Sequence, residues 1–109
     1  MPIRPSTRTR LRRARRASRR AAAYRLVDLR DRGRCRVCGD TSGTMHHHHI
    51  RYRSLGGADS SANLALVCAR CHADIHAARI RLSGDADARD ADGLLSGLKI
   101  AYRPPEGWS

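Results

Sequence analysis

The 109-residue sequence predicts a small α+β domain held together by a metal rather than by a large apolar core. Three observations predict it. Aromatic residues make up 4% of the chain and Phe is absent, which excludes a large aromatic core. At this length a hydrophobic core alone is marginal, and small domains commonly add disulfides or a metal. All four cysteines and all six histidines fall within residues 35–82, in a stretch that also holds candidate strands and a candidate helix. No run of 18 or more apolar residues is present, which excludes a membrane span. No apolar run follows the N-terminal charges, so no secretory signal is read and the expected location is the cytoplasm.

Pro2 and Pro5 punctuate the start, so residues 1–10 read as an extended arm. Leu11 to Arg32 holds no Gly or Pro and is dominated by Ala and Arg, both good helix formers, with Gly33 as the C-terminal cap. Met45–Tyr52 is a candidate strand, Leu55–Asn63 a Gly-containing loop and Leu64–Val67 a short apolar strand. Ala69–Ile80 reads as a second helix. An acidic, Ala-rich stretch, Asp85–Asp92, follows Ser83-Gly84, and Leu98–Tyr102 reads as a last short strand before Pro104-Pro105. The organisation is thus an Arg-rich arm and helix (1–34), a Cys- and His-bearing domain (35–82) and a C-terminal extension (83–109).

The formal net charge of +12 is unevenly placed. Residues 1–34 carry 13 Arg against Asp28 and Asp31, whereas residues 35–109 carry nine basic and eight acidic residues. Of the 22 basic residues 21 are Arg, whose planar fork of donors matches phosphate oxygens. An arm of this density, with Arg12, Arg13, Arg15 and Arg16 at its centre, suits a polyanion. Two blander readings of such a run are a disordered solubilising tail and a mitochondrial transit peptide.

The cysteines form Cys35-x2-Cys38, then 29 residues, then Cys68-x2-Cys71. Two such pairs suit a tetrahedral structural zinc, each short knuckle bringing two thiolates to about 2.3 Å from one ion. The competing reading is two disulfides, which belong to an oxidising compartment that nothing in the sequence indicates. His72 and His76 stand four apart, so on a helix they share a face and can grip one cation. His46–His49 is a run of four inside a candidate strand, where at most two side chains point the same way. Periodicity does not say which two.

Taken together, these residues make the chain resemble an HNH endonuclease of the His-Me finger (ββα-metal) superfamily, in its zinc-bearing branch. The resemblance covers Cys35 to about Ile80, under half of the chain. It rests on Cys35-x2-Cys38, His48-His49-Ile50, Gly56-Gly57, Asn63-Leu64 and Leu66-Val67-Cys68-x2-Cys71-His72-x3-His76. It implies a ββα-metal core stapled by the four-cysteine zinc, with His49 as the general base that activates water. It further implies that His48 and His72 are ligands of a catalytic divalent cation, that His76 is a further ligand found in some members, and that Asn63 braces the loop holding His49. His46 and His47 have no counterpart in the motif. A register slipped by one would substitute His47 and His48, but Ile50 favours the assignment given.

The implied chemistry is hydrolysis of DNA phosphodiester bonds, by nicking or double-strand cleavage, leaving 3′-hydroxyl and 5′-phosphate ends. Imidazole with a pKa near its ordinary value of about 6.5 accepts a proton at neutral pH. A divalent cation (Mg, Mn, Ni or Zn) with open positions neutralises developing charge. Double-stranded DNA is then the expected partner, gripped by the arm, and Arg51 and Arg53 are candidates for phosphate contacts. The alternative is a non-catalytic zinc module that binds nucleic acid through the arm. The four cysteines and the charge fit both; His48, His49, Asn63, His72 and His76 separate them, because a pure binding module does not need that set.

Overall fold

The computed structural model describes residues 3–108, so Pro2 lies outside the described residues. The architecture is a small α+β arrangement of two helices and two two-stranded antiparallel sheets. Helix α1 spans Thr7–Asp31, β1 Met45–His49, β2 Leu64–Cys68, α2 Ala69–His76, β3 Ile80–Gly84 and β4 Leu98–Tyr102. Short 3-10 turns at Arg53–Leu55 and Ser61–Asn63 lie between β1 and β2. No described helix is long and apolar enough to cross a membrane.

Helix α1 starts four residues earlier than its composition suggests. Ser6 accepts a hydrogen bond from the Thr9 N–H at 3.1 Å and caps the helix, so residues 7–10 are helical rather than an extended arm. Its end is also shifted. Arg32 takes the left-handed conformation (φ 53°, ψ 40°) and donates its N–H to the Asp28 carbonyl, placing the cap one residue before Gly33.

Strand β2 is the structural centre. All five of its residues are buried, although it pairs only with β1. Leu64 and Leu66 pack against Ala23 and Val27 of α1, while Ala65 and Val67 pack with Cys71, Ile75 and Ile80. A strand covered on both faces needs a continuous apolar run, which Leu-Ala-Leu-Val-Cys supplies.

The register pairs His46 with Val67, His47 with Leu66, His48 with Ala65 and His49 with Leu64. Directly opposed residues share a face, so His46 and His48 lie on the α2 side and His47 and His49 on the α1 side. Regular pairing of β1 ends at His49, short of the expected Tyr52, although the Ile50 N–H still donates to the Asn63 carbonyl at 2.8 Å.

The second helix ends at His76 rather than Ile80. Ala77 and Ala78 close it through N–H bonds to the Ala73 and Ile75 carbonyls, and Ala78 turns the chain with φ 58°. Ile80 then starts β3. The apolar/polar alternation Ile80-Arg81-Leu82-Ser83 is a strand signal hidden behind an Ala-rich helix pattern. Strand β3 pairs with the expected strand at Leu98–Tyr102, matching Leu82 with Ile100, and both residues pack on the core beside Cys71.

The C-terminus of α1 is tied to β2 by buried charge. The Asp31 side chain, fully buried, accepts from Arg30 Nε (2.7 Å) and Nη2 (2.9 Å), Arg36 Nη1 (3.0 Å) and the Leu66 N–H (3.1 Å). Arg30 also donates to the Ser61 and Leu64 carbonyls and to Asp87, each at 2.7 Å. Burial works against the Arg30 charge, but Asp31 and Asp87 outweigh it and hold its pKa above the ordinary value. Removing one partner of such a network strands the other inside. Asp31→Ala should therefore lower unfolding free energy by about 3–5 kcal/mol in urea denaturation. Asp28→Ala, in the same helix but with its carboxylate exposed, should change it little. Equal effects from the two would contradict an anchoring role for Asp31.

Candidate functional site

The four cysteines converge. Their sulfurs all lie within 4.8 Å of one another, with Cys38 Sγ 3.7 Å from Cys68 Sγ, and none is in a disulfide. Tetrahedral ligation with bonds of about 2.3 Å demands a sulfur–sulfur edge of about 3.8 Å. The first knuckle is shaped by bonds from the Cys35 N–H to the Asp40 carbonyl and from the Gly39 N–H to the Cys35 carbonyl. The Arg36 N–H, donated to the Leu66 carbonyl at 2.8 Å, ties that knuckle to β2. In the second, Cys68 ends β2 and caps α2, its sulfur accepting from the Cys71 N–H at 3.4 Å.

The thiols differ electrostatically. A hydrogen bond from the Asp40 backbone, with help from the other three cysteines, brings Cys38 down to about 7 against the opposing effect of burial. Burial, then its bonds to the neighbouring cysteines, pushes Cys71 up. Four thiolates at these separations need a cation among them, and this donor set fits zinc.

A second cluster lies on the α2 face of β1. Nitrogens of His48, His72 and His76 lie within 4.8 Å of one another, with the two Nε2 atoms of α2 2.9 Å apart. His48 is buried, and burial first, then the neighbouring His72, His76 and His49, lowers its pKa to about 4. His72 is lowered in the same direction by burial and by His76 and His46. Neutral imidazole is the form that ligates a metal, so the cluster suits a divalent cation. His46 stacks on His72 with ring centroids 4.6 Å apart, and Tyr52 stacks on His76 and meets His48 edge-on. His47 turns to the other face, lies flat on Tyr24 at 4.1 Å and bonds Asp28 through Nε2 at 2.7 Å. The two histidines without a motif counterpart thus support the neighbouring rings and the α1 contact.

His49 borders the same cleft, a cavity of about 320 Å³ lined by His47, His48, His49, Tyr52, Arg53, Ser54, His72 and His76. Its Nε2 lies 2.8 Å from Asp59 Oδ1. Asn63 closes the loop behind it. Its Oδ1 accepts from the Arg51 N–H at 2.8 Å, and its Nδ2 donates to the Arg51 and Ala58 carbonyls at 3.0 and 2.9 Å. The loop folds tightly enough that any side chain on Gly57 would overlap the Arg51 carbonyl.

Arg53 sits at the cleft edge, with Nε 3.6 Å from Asp59, whereas the Arg51 side chain turns back to the Leu55 carbonyl. Arg12, Arg13, Arg15 and Arg16 lie exposed along α1, outside the cleft lining. Positions 12, 16, 20, 23 and 27 follow one another at helical spacing, so Arg12, Arg16 and Arg20 share the row that Ala23 and Val27 bury against β2. That row brings the arm's charge to the domain side, and the charge of Arg20 reaches Asp59. Asp59, Tyr52 and Arg20 were not legible as site residues; no spacing rule ties a loop aspartate to a histidine ten positions before it.

Residues 35–78, under half of the chain, match the family model of the HNH endonuclease. The matching segment contains all four cysteines and all six histidines, and the converging thiols fit a zinc-bearing variant of that domain. Its general implication is a nuclease acting on nucleic acid. No curated protein and no solved structure matches the chain.

If the thiol cluster staples the fold, stripping zinc with a chelator should abolish cooperative thermal unfolding followed by circular dichroism. Cys68→Ser should do the same without chelator, because it alters both the cluster and the α2 cap. An unchanged melting curve after complete loss of zinc would contradict this.

Proposed function

We propose that this chain is a metal-dependent endonuclease that hydrolyses DNA phosphodiester bonds, with β1, β2 and α2 forming a ββα-metal unit. The observation that carries the reading is the convergence of His48, His72 and His76 beside His49, inside the segment that matches the HNH family. His49 acts as general base. It takes a proton from a water whose oxygen attacks phosphorus as the bond to the 3′ oxygen breaks. The products are a 5′-phosphate and a 3′-hydroxyl, the leaving oxygen being protonated from solvent.

His48, His72 and His76 would hold the catalytic divalent cation (Mg, Mn, Ni or Zn), which when bound would supply positive charge next to the phosphate and the leaving oxygen. Cys35, Cys38, Cys68 and Cys71 would hold the structural zinc, and with all four thiolates engaged it would serve stability rather than substrate binding. Asn63 positions the loop from which Arg53 approaches the cleft, and through it the His49 strand end. Arg51, whose side chain is engaged by Leu55, serves mainly through its backbone bonds to Asn63.

Helix α1 supplies the grip on duplex DNA. Arg12, Arg13, Arg15 and Arg16 offer exposed guanidinium groups to successive phosphates, and Arg20 continues that charge toward the cleft. The helix is joined to the domain through Arg30 and Asp31, so the arm is a fixed lever rather than a loose tail. Four cysteines gathered about one point suit a metal site, and such thiolates persist in a reducing compartment, so we place the protein in the cytoplasm.

The deciding experiment incubates supercoiled plasmid with wild type or His49→Ala and each of Mg, Mn, Ni and Zn, with bound zinc measured to confirm folding. The expected result is metal-dependent nicking or linearisation by wild type, reduced about 10²–10⁴-fold in His49→Ala. A folded, zinc-loaded wild type that retards DNA in a gel but leaves the plasmid intact with every metal would overturn the reading. The chain would then be a binding module.

A further inference from the structure

The environment of His49 contains a carboxylate to which no role has been given above, Asp59. Asp59 Oδ1 lies 2.8 Å from His49 Nε2, and the two side chains are only 13% and 12% exposed. The carboxylate is not carried on a free loop. The carbonyl of the preceding residue, Ala58, accepts from Asn63 Nδ2, and Gly57 lies against the Arg51 carbonyl. Arg53 faces the same carboxylate at 3.6 Å and Arg20 adds positive charge from α1. The hydrogen bond to His49, then these two charges, hold the Asp59 carboxyl below the usual range, so it is ionised at neutral pH.

We propose that Asp59 is a positioning residue for His49. Its carboxylate holds the imidazole in one orientation and one tautomer, leaving the lone pair of Nδ1 to take the proton of the attacking water. The inference rests on the nuclease reading above. An ionised carboxylate can only accept, so the shared proton resides on Nε2 and the other ring nitrogen is the basic one. Without that acceptor the ring is free to rotate about its χ2 angle and to exchange tautomers, and only a fraction of molecules presents a base to water. Asp59 touches neither the phosphate nor the metal in this account and acts through His49 alone.

The test compares wild type, Asp59→Ala and Asp59→Asn on plasmid DNA with the activating metal, separating kcat from KM. Zinc content and melting temperature serve as controls. Long-range 1H–15N spectra of the His49 ring report its tautomer independently of activity. The expected result is a kcat reduced at least about 100-fold in Asp59→Ala, with KM within about threefold of wild type. Asp59→Asn should recover part of the loss, because its amide oxygen can still accept from Nε2. In wild type the ring proton should sit on Nε2, and in Asp59→Ala it should be shared with Nδ1. Wild-type kcat in Asp59→Ala, a loss confined to KM, or a wild-type ring protonated on Nδ1 would each overturn the role while leaving the nuclease reading intact. A folded wild type that cuts no DNA would remove the nuclease reading and this role with it.

Discussion

The architecture turns on Cys68. This residue is at once the last position of β2, the N-cap of α2 and a corner of the thiol cluster. Its place in the cluster fixes where the strand stops and in which direction the helix leaves. His72 and His76 follow it by four and eight positions, close to one and two helical turns, so both histidines inherit their orientation from that junction. The other half of the imidazole cluster follows from β2 as well, because the β1 register sets His48 opposite Ala65 and turns it toward α2. The junction that gathers the thiols therefore also sets the direction of the imidazoles.

A second constraint joins the charged helix to this centre. Burying Asp31 is costly unless every lone pair is used, and Arg30, Arg36 and the Leu66 N–H use them. The same Arg30 reaches Ser61 and Asp87, so α1, the loop before β2 and the turn after β3 are held by one guanidinium. The arm is continuous with this anchored segment through α1.

Much of this was legible in the residues. The two Cys-x2-Cys pairs, the apolar run Leu64–Val67, the long uninterrupted helix and the strand at Leu98–Tyr102 all carry local signals that tertiary packing did not override. The helix ends and the first strand of the C-terminal hairpin were less legible. Ala77 and Ala78 are good helix formers, and only the need to bury Ile80 against Cys71 and Ile75 ends the helix before them. Within the His46–His49 run, alternation limited the choice to pairs, and the packing of β2 decided which pair faces α2. Asp31, Arg30 and Asp59 were not legible at all as structural or site residues. Arg30 and Asp31 are neighbours whose burial depends on Ser61, Leu64, Leu66 and Asp87, and Asp59 meets a histidine a whole loop away, so in an Arg-rich, loop-rich chain all three read as ordinary surface.

The central claim is that one junction supports two distinct metal sites, one of sulfur and one of imidazole. Anomalous diffraction from crystals of the full chain grown with zinc tests it most directly. The account predicts two peaks: one at about 2.3 Å from all four cysteine sulfurs and one coordinated by His48, His72 and His76. Cysteines paired as disulfides, or a single peak at the cysteines with the three imidazoles turned apart, would contradict it.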